Sequence, residues 1–507
     1  MDGLIAGFGV ALSWENILAV LAGCFLGMLV GVLPGLGPVT TISLLLPFTF
    51  NFEPTTAIIL LAGVYAGVMY GGTITSVLLK LPGEAASVVT AIDGHEMARR
   101  GRAGPALGIS AIGSFIGATV ALVGLTLFAP QLADLALKLG PPEYALLALL
   151  GLLLIAYMGN GSFGKAVLAA AIGLFVAVIG LDPVSGQARF DGGSAQLVDG
   201  IDIVAAVLGL FGIGEVLYQL RHPEGDSGSV TSKIGRVFPT RRDFRDSAAP
   251  IARGSIIGTL IGLLPGGGGV VSSLVSYGTE RRLAKRPEEF GKGAIQGVAG
   301  PETANNASST SSFIPLLTLG IPFNVAISLM FSVLLINGIT PGPRLIEDEP
   351  DLFWGVIASM YLGNIVLLVL SLPLVGLFIQ ILRVDAHIMA PFIILLSLVG
   401  VYTIDSNTWN MWVAIVFGVI GYLMRIWGLP TGPLVLAFII GGMLETSMRQ
   451  SLLLSDDGFL IFLQRPGSIV FLALCALLVV SAITGARPKG RSKPPRLTRQ
   501  TREKAKS

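Results

Sequence analysis

Residues 31–48 read GVLPGLGPVTTISLLLPF, and residues 262–279 read GLLPGGGGVVSSLVSYGT. Both contain Gly-x-Leu-Pro-Gly-x-Gly, starting at Gly31 and Gly262, 231 positions apart. Proline lacks a backbone donor and glycine loosens the chain, so each cluster interrupts a helix. Each interruption also lies in apolar sequence, where unpartnered backbone groups facing lipid are strongly unfavourable. A break there is tolerated only against protein or a water-filled cavity, so the clusters predict two hairpin tips buried in a membrane protein. A packing role competes with this reading. Gly27-x-x-x-Gly31 and Gly258-x-x-x-Gly262 have the spacing that lets membrane helices approach closely.

The whole chain fits such a setting. Of its 507 residues 53% are hydrophobic and 13% charged, against about 25% charged in soluble domains. Apolar runs recur from residue 16 to residue 484, and a crossing helix needs about 20 such residues. The expectation is an all-α integral membrane protein with about ten to twelve transmembrane helices, some re-entrant or broken. No polar stretch is long enough for a soluble domain. Cys24 and Cys475 stand alone in apolar segments and read as packing residues. Residues 1–15 hold no Lys or Arg, which argues against a cleaved signal.

Basic residues mark the cytoplasmic side. Segments 93–102, 221–253, 280–292 and 485–507 hold 24 of the 33 Lys and Arg residues and are predicted to be cytoplasmic. The acidic loops 182–202 and 347–351 are predicted to lie outside. Helices are expected near 105–129, 144–158, 166–181, 203–220, 352–380, 388–404, 409–424, 430–444 and 468–484. This threading puts the N-terminus outside and the C-terminus in the cytoplasm. The basic tail serves as a positive-inside anchor or as a lipid-binding patch.

Residues 254–279 start and end beside basic loops, which predicts a re-entrant hairpin with 264–269 at its turn. Residues 16–51 predict a matching hairpin opening from outside. LLKLPG (78–83) resembles LLTLGIP (316–322), and AYMGNGS (156–162) resembles VYTIDSN (401–407). GLFGIGEVL (209–217) resembles FIIGGMLETSM (438–448), setting Glu215 opposite Glu445. These matches in order predict two inverted-topology repeats, 1–220 and 254–463. A cytoplasmic linker (221–253) joins them, and an extra helix (464–484) and the tail (485–507) follow.

Inverted repeats with broken helices point half-helix N-termini at anions and unwound carbonyls at Na⁺. Pro34, Gly35 and Gly37, with Pro265, Gly266 and Gly267, are therefore candidate binding positions. The stretch PETANNASSTSS (301–312) adds neutral oxygens and N–H donors from Asn305, Asn306, Ser308, Ser309, Ser311 and Ser312. A Na⁺ ion is expected at Asn306, Ser308, Ser311 and backbone carbonyls. Glu302 is a candidate for a coupling proton or a cation site, or else a capping acid. Gly71, Gly72, Thr73, Thr75 and Ser76 take the corresponding place in the first half. Lys80, in an apolar run, either meets a substrate carboxylate or reaches the cytoplasmic interface.

His95 and His222 lie in basic loops, and His387 has no metal-ligand company. The sequence has no nucleophile motif, phosphate-binding Gly-Lys-Ser/Thr loop or metal signature. The basic loops lack interleaved aromatics, which excludes a nucleic-acid site. An intramembrane enzyme would need paired acids within spans, and only Glu215 and Glu445, near helix ends, come into question.

At GMLVGVLPGLGP (27–38), YGGTITSVLLKLPGE (70–84), DGHEMARRGRAGPALG (93–108), GTLIGLLPGGGGVVSSLVSYGTERR (258–282) and GPETANNASSTSSFIPLLTLGIP (300–322), the chain resembles one family. It is the large transmembrane permease subunit of the bacterial tripartite tricarboxylate transporters. The resemblance runs over roughly residues 10–485. It implies a multi-pass protein of the cytoplasmic (inner) membrane, working with a small four-helix membrane subunit and a periplasmic solute-binding protein. It implies import of small organic anions, di- or tricarboxylates such as citrate, by cation symport (Na⁺ or H⁺), with no other cofactor and no enzyme activity. Carried over by motif, site roles fall on 34–38, 265–269, 72–76 and 305–312. The alternative is a self-sufficient carboxylate carrier or exporter without a binding protein.

Overall fold

The structure, a computed structural model, describes residues 2–33, 36–80, 83–158, 162–182, 185–221, 237–266, 268–371, 373 and 386–484. Pro34, Gly35, Gly267, residues 222–236 of the 221–253 linker and the 485–507 tail lie outside the described residues. The described residues are mainly helical, with one two-stranded hairpin among them pairing Gly180–Leu181 with Ala188–Arg189. Among the described residues eight helices are long and apolar enough to cross a membrane, and six shorter apolar helices of 10–17 residues accompany them. The expected ten to twelve crossings therefore divide into full spans and short pieces. Breaks such as the one after Gly31 leave helices like Pro38–Thr49, with 12 residues, too short to span alone.

Both Gly-Pro clusters form hairpins. Helix Trp14–Gly31 turns into helix Pro38–Thr49, and helix Arg241–Gly262 turns into helix Gly268–Leu283. The segment read as linker up to 253 is helical from Arg241, because Thr240 and Asp243 form a capping box that starts the helix early.

Each hairpin's first helix lies flat on a central helix. A Cβ on Gly23, Gly27 or Gly31 would collide with the carbonyl of Leu60, Val64 or Val68 in helix Pro54–Leu79. A Cβ on Gly254, Gly258 or Gly262 would collide with the carbonyl of Gly300, Ala304 or Ser308 in helix Gln296–Ser311. The glycines are thus required by backbone-to-backbone approach, and the packing reading of the GxxxG spacing holds alongside the hairpin reading. The two arrays share one register, which makes 61–72 rather than 71–76 the packing counterpart of 301–312.

The agreement continues past the helix ends. Helix Pro54–Leu79 ends at Lys80 with φ 61°, and helix Phe313–Leu319 ends at Gly320 with φ 66°. Four residues on, Glu84 caps the N–H of Ala86, and Asn324 caps the N–H of Ile327.

The later helices cross over between the halves. Helix Ala103–Ala136 packs on the second pair, with Gly113 and Gly117 against Thr303. Helix Pro350–Ser371 packs on the first pair, with Gly363 over Cys24. Helix Pro54–Leu79 is the centre of this bundle, buried from Ala57 to Leu78 except at Ala66. On one flank, helices Pro141–Met158, Phe163–Ala177, Thr431–Leu453 and Pro466–Ile483 lie together. Pro38–Thr49, Ile203–Arg221, Ala386–Asp405 and Thr408–Ile426 form the other. In the second flank a π-helical turn over Leu208–Ile213 loosens backbone bonding, and Thr40 Oγ1 donates to the Phe211 carbonyl at 3.2 Å.

Candidate functional site: a polar seam between the two halves

Helix Gln296–Ser311 is polar along much of its length, yet nearly every residue in it is buried. Its polar groups therefore need partners inside the protein, and they find them on the other half. Glu302, fully buried, accepts from Thr73 Oγ1 at 2.7 Å and from Thr90 Oγ1 at 2.5 Å. Asn305 Nδ2 donates to Glu84 Oε1 at 2.9 Å. Asn306 Nδ2 donates to Ser114 Oγ at 2.7 Å and to the Glu302 carbonyl at 3.1 Å. Tyr70 OH donates to Asn364 Oδ1 at 3.2 Å, and Asn364 Nδ2 donates to Thr119 Oγ1 and the Phe115 carbonyl. A continuous polar seam results, running between helices 54–79, 103–136, 296–311 and 350–371.

Glu84 is its meeting point. A Cβ on Gly83 would overlap the carbonyl of Gly31, the last helical residue before the first tip. A Cβ on Gly269, just past the second tip, would come within 2.9 Å of the Ala86 methyl and overlap Asn305 Oδ1. Residues 83–86 thus touch both hairpins, and Glu84 lies between the contacts. The segment is tied to helix 54–79 by Ser76 Oγ, which donates to Ser87 Oγ at 2.6 Å, and by Ser87 Oγ, which bonds to the Gly72 carbonyl.

Two cavities border the seam. One of about 30 Å³ is lined by Tyr65, Tyr70, Asn306, Ser309, Ser359 and Asn364 among apolar side chains. One of about 10 Å³ is lined by Tyr70, Thr73, Ser110, Ser114 and Ser371. A space needs roughly 10–15 Å³ to hold a water, so these are water-sized.

The positions expected from the sequence part company here. Thr73, Glu302, Asn305 and Asn306 meet on the seam, and Thr75 and Ser76 brace it from helix 54–79, Thr75 Oγ1 donating to the Gly72 carbonyl. Ser308 and Ser311 face the other way, against Gly262, and Ser311 Oγ bonds to the Ser308 carbonyl. Asn306, Ser308 and Ser311 therefore do not converge on one point. Pro265 is buried, and Gly266 N–H donates to the Phe323 carbonyl at 3.0 Å. Gly37 is the N-cap of helix Pro38–Thr49, with open space where its side chain would be. Lys80 is exposed at its left-handed helix end.

Glu84, Tyr70, Thr90, Ser114 and Asn364 were not singled out in the sequence. Glu84 carried one usable signal, as the acid that closes KLPGE in an apolar region. Glu215 and Glu445 are ion-paired: Glu215 with Arg425, and Glu445 with Arg189 at 2.6 Å and Arg449 at 2.8 Å. Among the described residues no group of three or more His, Cys, Asp or Glu side chains is placed to hold a metal.

Fold and site together define a multi-pass helical membrane protein whose two halves enclose a buried polar seam. Residues 17–436 match the model of the tripartite tricarboxylate transporter TctA family. The chain is 44% identical over 490 residues to an uncharacterized 52.8 kDa protein in the TAR-I ttuC' 3'region of Agrobacterium vitis, covering 96% of this chain and 97% of that one. It is 43% identical over 226 residues to an uncharacterized protein in the TAR-II ttuC' 3'region of the same organism, covering 45% of this chain and 93% of that one. No solved structure matches. This chain belongs to the tripartite tricarboxylate transporter TctA family, which points to a transporter rather than to an enzyme.

Proposed function

We propose that the chain is the large translocating subunit of a secondary transporter that imports small organic anions, di- or tricarboxylates such as citrate, by cation symport. It works with a small four-helix membrane subunit and a periplasmic binding protein, in the bacterial inner membrane, with its C-terminus in the cytoplasm. The observation that carries the reading is the buried seam. It joins helices from both halves beside two hairpin tips, and Glu84 and Glu302 on it have no ion-pair partner among the described residues.

The chemistry is consistent with an anion carrier. Taking each carboxylate charge out of water costs several kcal/mol, so the substrate needs donors and accompanying cations. Extra cations also let the membrane potential, about 2.3 kcal/mol per charge per 100 mV, pull the complex inward. The shared register of the glycine arrays, and the matching caps Glu84 and Asn324, support two repeats. Their opposed threading follows from the basic loops.

The test is uptake of labelled citrate into vesicles holding this chain and the small subunit, with and without the binding protein. The reading expects accumulation only with the binding protein and a cation gradient. Accumulation indifferent to the binding protein would favour a self-sufficient carrier.

A further inference from the structure

Glu84 and Glu302 are both fully buried, and no basic side chain pairs with either among the described residues. An ionised carboxylate so placed is very unfavourable unless a cation or a proton joins it. Two observations point to a proton.

First, both Glu84 oxygens accept from N–H groups, the Asn305 amide and the Ala86 N–H, which offer a cation no lone pair, while Glu302 accepts from the Thr73 and Thr90 hydroxyls. A hard cation bound at a carboxylate wants several further oxygen lone pairs aimed at it. Second, Asn305 Oδ1 is buried without a partner, on the same amide that donates to Glu84. Turned over, that amide would accept a proton from Glu84. The threonine hydroxyls likewise donate to a carboxylate or accept from a carboxylic acid. Apart from the Ala86 N–H, every partner serves both protonation states.

We propose that Glu84 and Glu302 each bind one proton during transport, so that the cation symported is H⁺, carried as a neutral carboxylic acid. This rests on the transporter reading above. Each carboxylate takes a proton while the seam opens to one side and returns it to water on the other. Thr73 lines the 10 Å³ cavity and donates to Glu302, which gives the proton a hydroxyl-lined approach.

The other titratable groups around the pair lie on the elements packed against it. Helix 88–99 brings Asp93, which accepts from Tyr277 OH and from the N–H groups of Gly291, Gly293 and Ala294. It also brings His95, whose Nδ1 is 3.2 Å from the Val77 carbonyl. The second hairpin brings Glu280, closed by Arg253 at 2.5 Å. Helix 54–79 brings Tyr65 and Tyr70, with Lys80 exposed at its end. Helix 14–31 brings Cys24, and helix 103–136 faces the seam with Ser110 and Ser114.

Infrared difference spectra of the full chain in lipid nanodiscs, recorded across a pH step, test this directly. The wild type should show a protonated-carboxyl C=O band that shifts in D₂O, a readout independent of any variant. Glu84→Gln and Glu302→Gln should each remove its own component of the band, and the double variant both components, while exposed Glu289→Gln leaves those two components in place. A wild type without the band, or variants that retain it whole, would overturn the proposal. Citrate exchange in vesicles with the partner subunits separates the two readings, since exchange needs no net proton movement. Exchange retained with the band lost supports proton coupling. A wild type with the band but no exchange in any condition overturns the transporter reading, and proton coupling with it.

Discussion

Asn305 Nδ2 reaches Glu84 Oε1 at 2.9 Å across 221 residues of chain, between the two hairpins and with both residues buried. Removing one partner strands the other in a low dielectric, which costs about 1–3 kcal/mol and more for a charged group. Asn305→Ala should therefore lower thermal stability in detergent by at least that amount. The double variant with Glu84→Gln should lose less than the sum, because the stranded group is gone. A double-mutant cycle on melting temperature checks it, and strict additivity would mean the two side chains do not interact.

Two glycines of the second hairpin give opposite signs for one substitution. Gly258→Ala drives a methyl into the Ala304 carbonyl and should destabilise by about 1–3 kcal/mol. Gly278→Ala, with nothing within 4 Å of the added methyl, should stabilise its helix by up to about 1 kcal/mol. Melting temperatures of the two variants test the register. Equal shifts would contradict backbone contact at Gly258.

At the start of the second hairpin, burial pushes the Asp243 carboxyl up. Hydrogen bonds from the Thr240 N–H and hydroxyl, with the Arg102 guanidinium, outweigh that and hold it below the ordinary carboxylate range. A depressed carboxylate stabilises the fold above its unfolded pKa, and the contribution disappears as pH falls through the folded value. Amide exchange over 237–245 should therefore stay slow at neutral pH and quicken in acid. Asp243→Asn should exchange fast at every pH, and a segment equally protected in both would contradict the cap.

Away from the seam, Arg189 bridges Glu445 at 2.6 Å and Asp182 at 3.7 Å, and Arg449 joins Asp182 at 3.0 Å. This cluster fastens the 180–189 hairpin to helix Thr431–Leu453. Glu445→Gln should speed amide exchange in 180–202 several-fold with little change at the seam, and added salt should weaken the clamp only partly, since the acids are largely buried.

The helix spans were legible because long apolar runs between charged loops leave the chain few alternatives. The two hairpins were legible because a Pro-Gly break inside an apolar run is tolerated only against protein or water. Glu302 stood out as the one acid in a polar, otherwise neutral stretch. Glu84 did not, because KLPGE reads locally as a turn closing a helix, and its burial is created by Asn305 and Gly269, more than 180 residues away in the chain. The pairing of 301–312 with 61–72 was equally hidden. One helix of that pairing is rich in serine and asparagine, the other in glycine, alanine and valine, and only the shared spacing of the backbone contacts relates them. Ser308 and Ser311 looked like ion ligands by composition, but helical phase turns them toward Gly262 and away from Asn306.

The central claim is that anion transport depends on the seam where the hairpins meet. Gradient-driven uptake of labelled citrate, in vesicles with the small subunit and binding protein, tests it in the wild type, Glu84→Gln, Asn305→Ala and Gly9→Ala, which adds a methyl to open space. At matched protein levels, accumulation should fall at least about tenfold, the kinetic equivalent of 1.4 kcal/mol, in the two seam variants and stay unchanged in Gly9→Ala. Wild-type accumulation in both Glu84→Gln and Asn305→Ala would contradict the account.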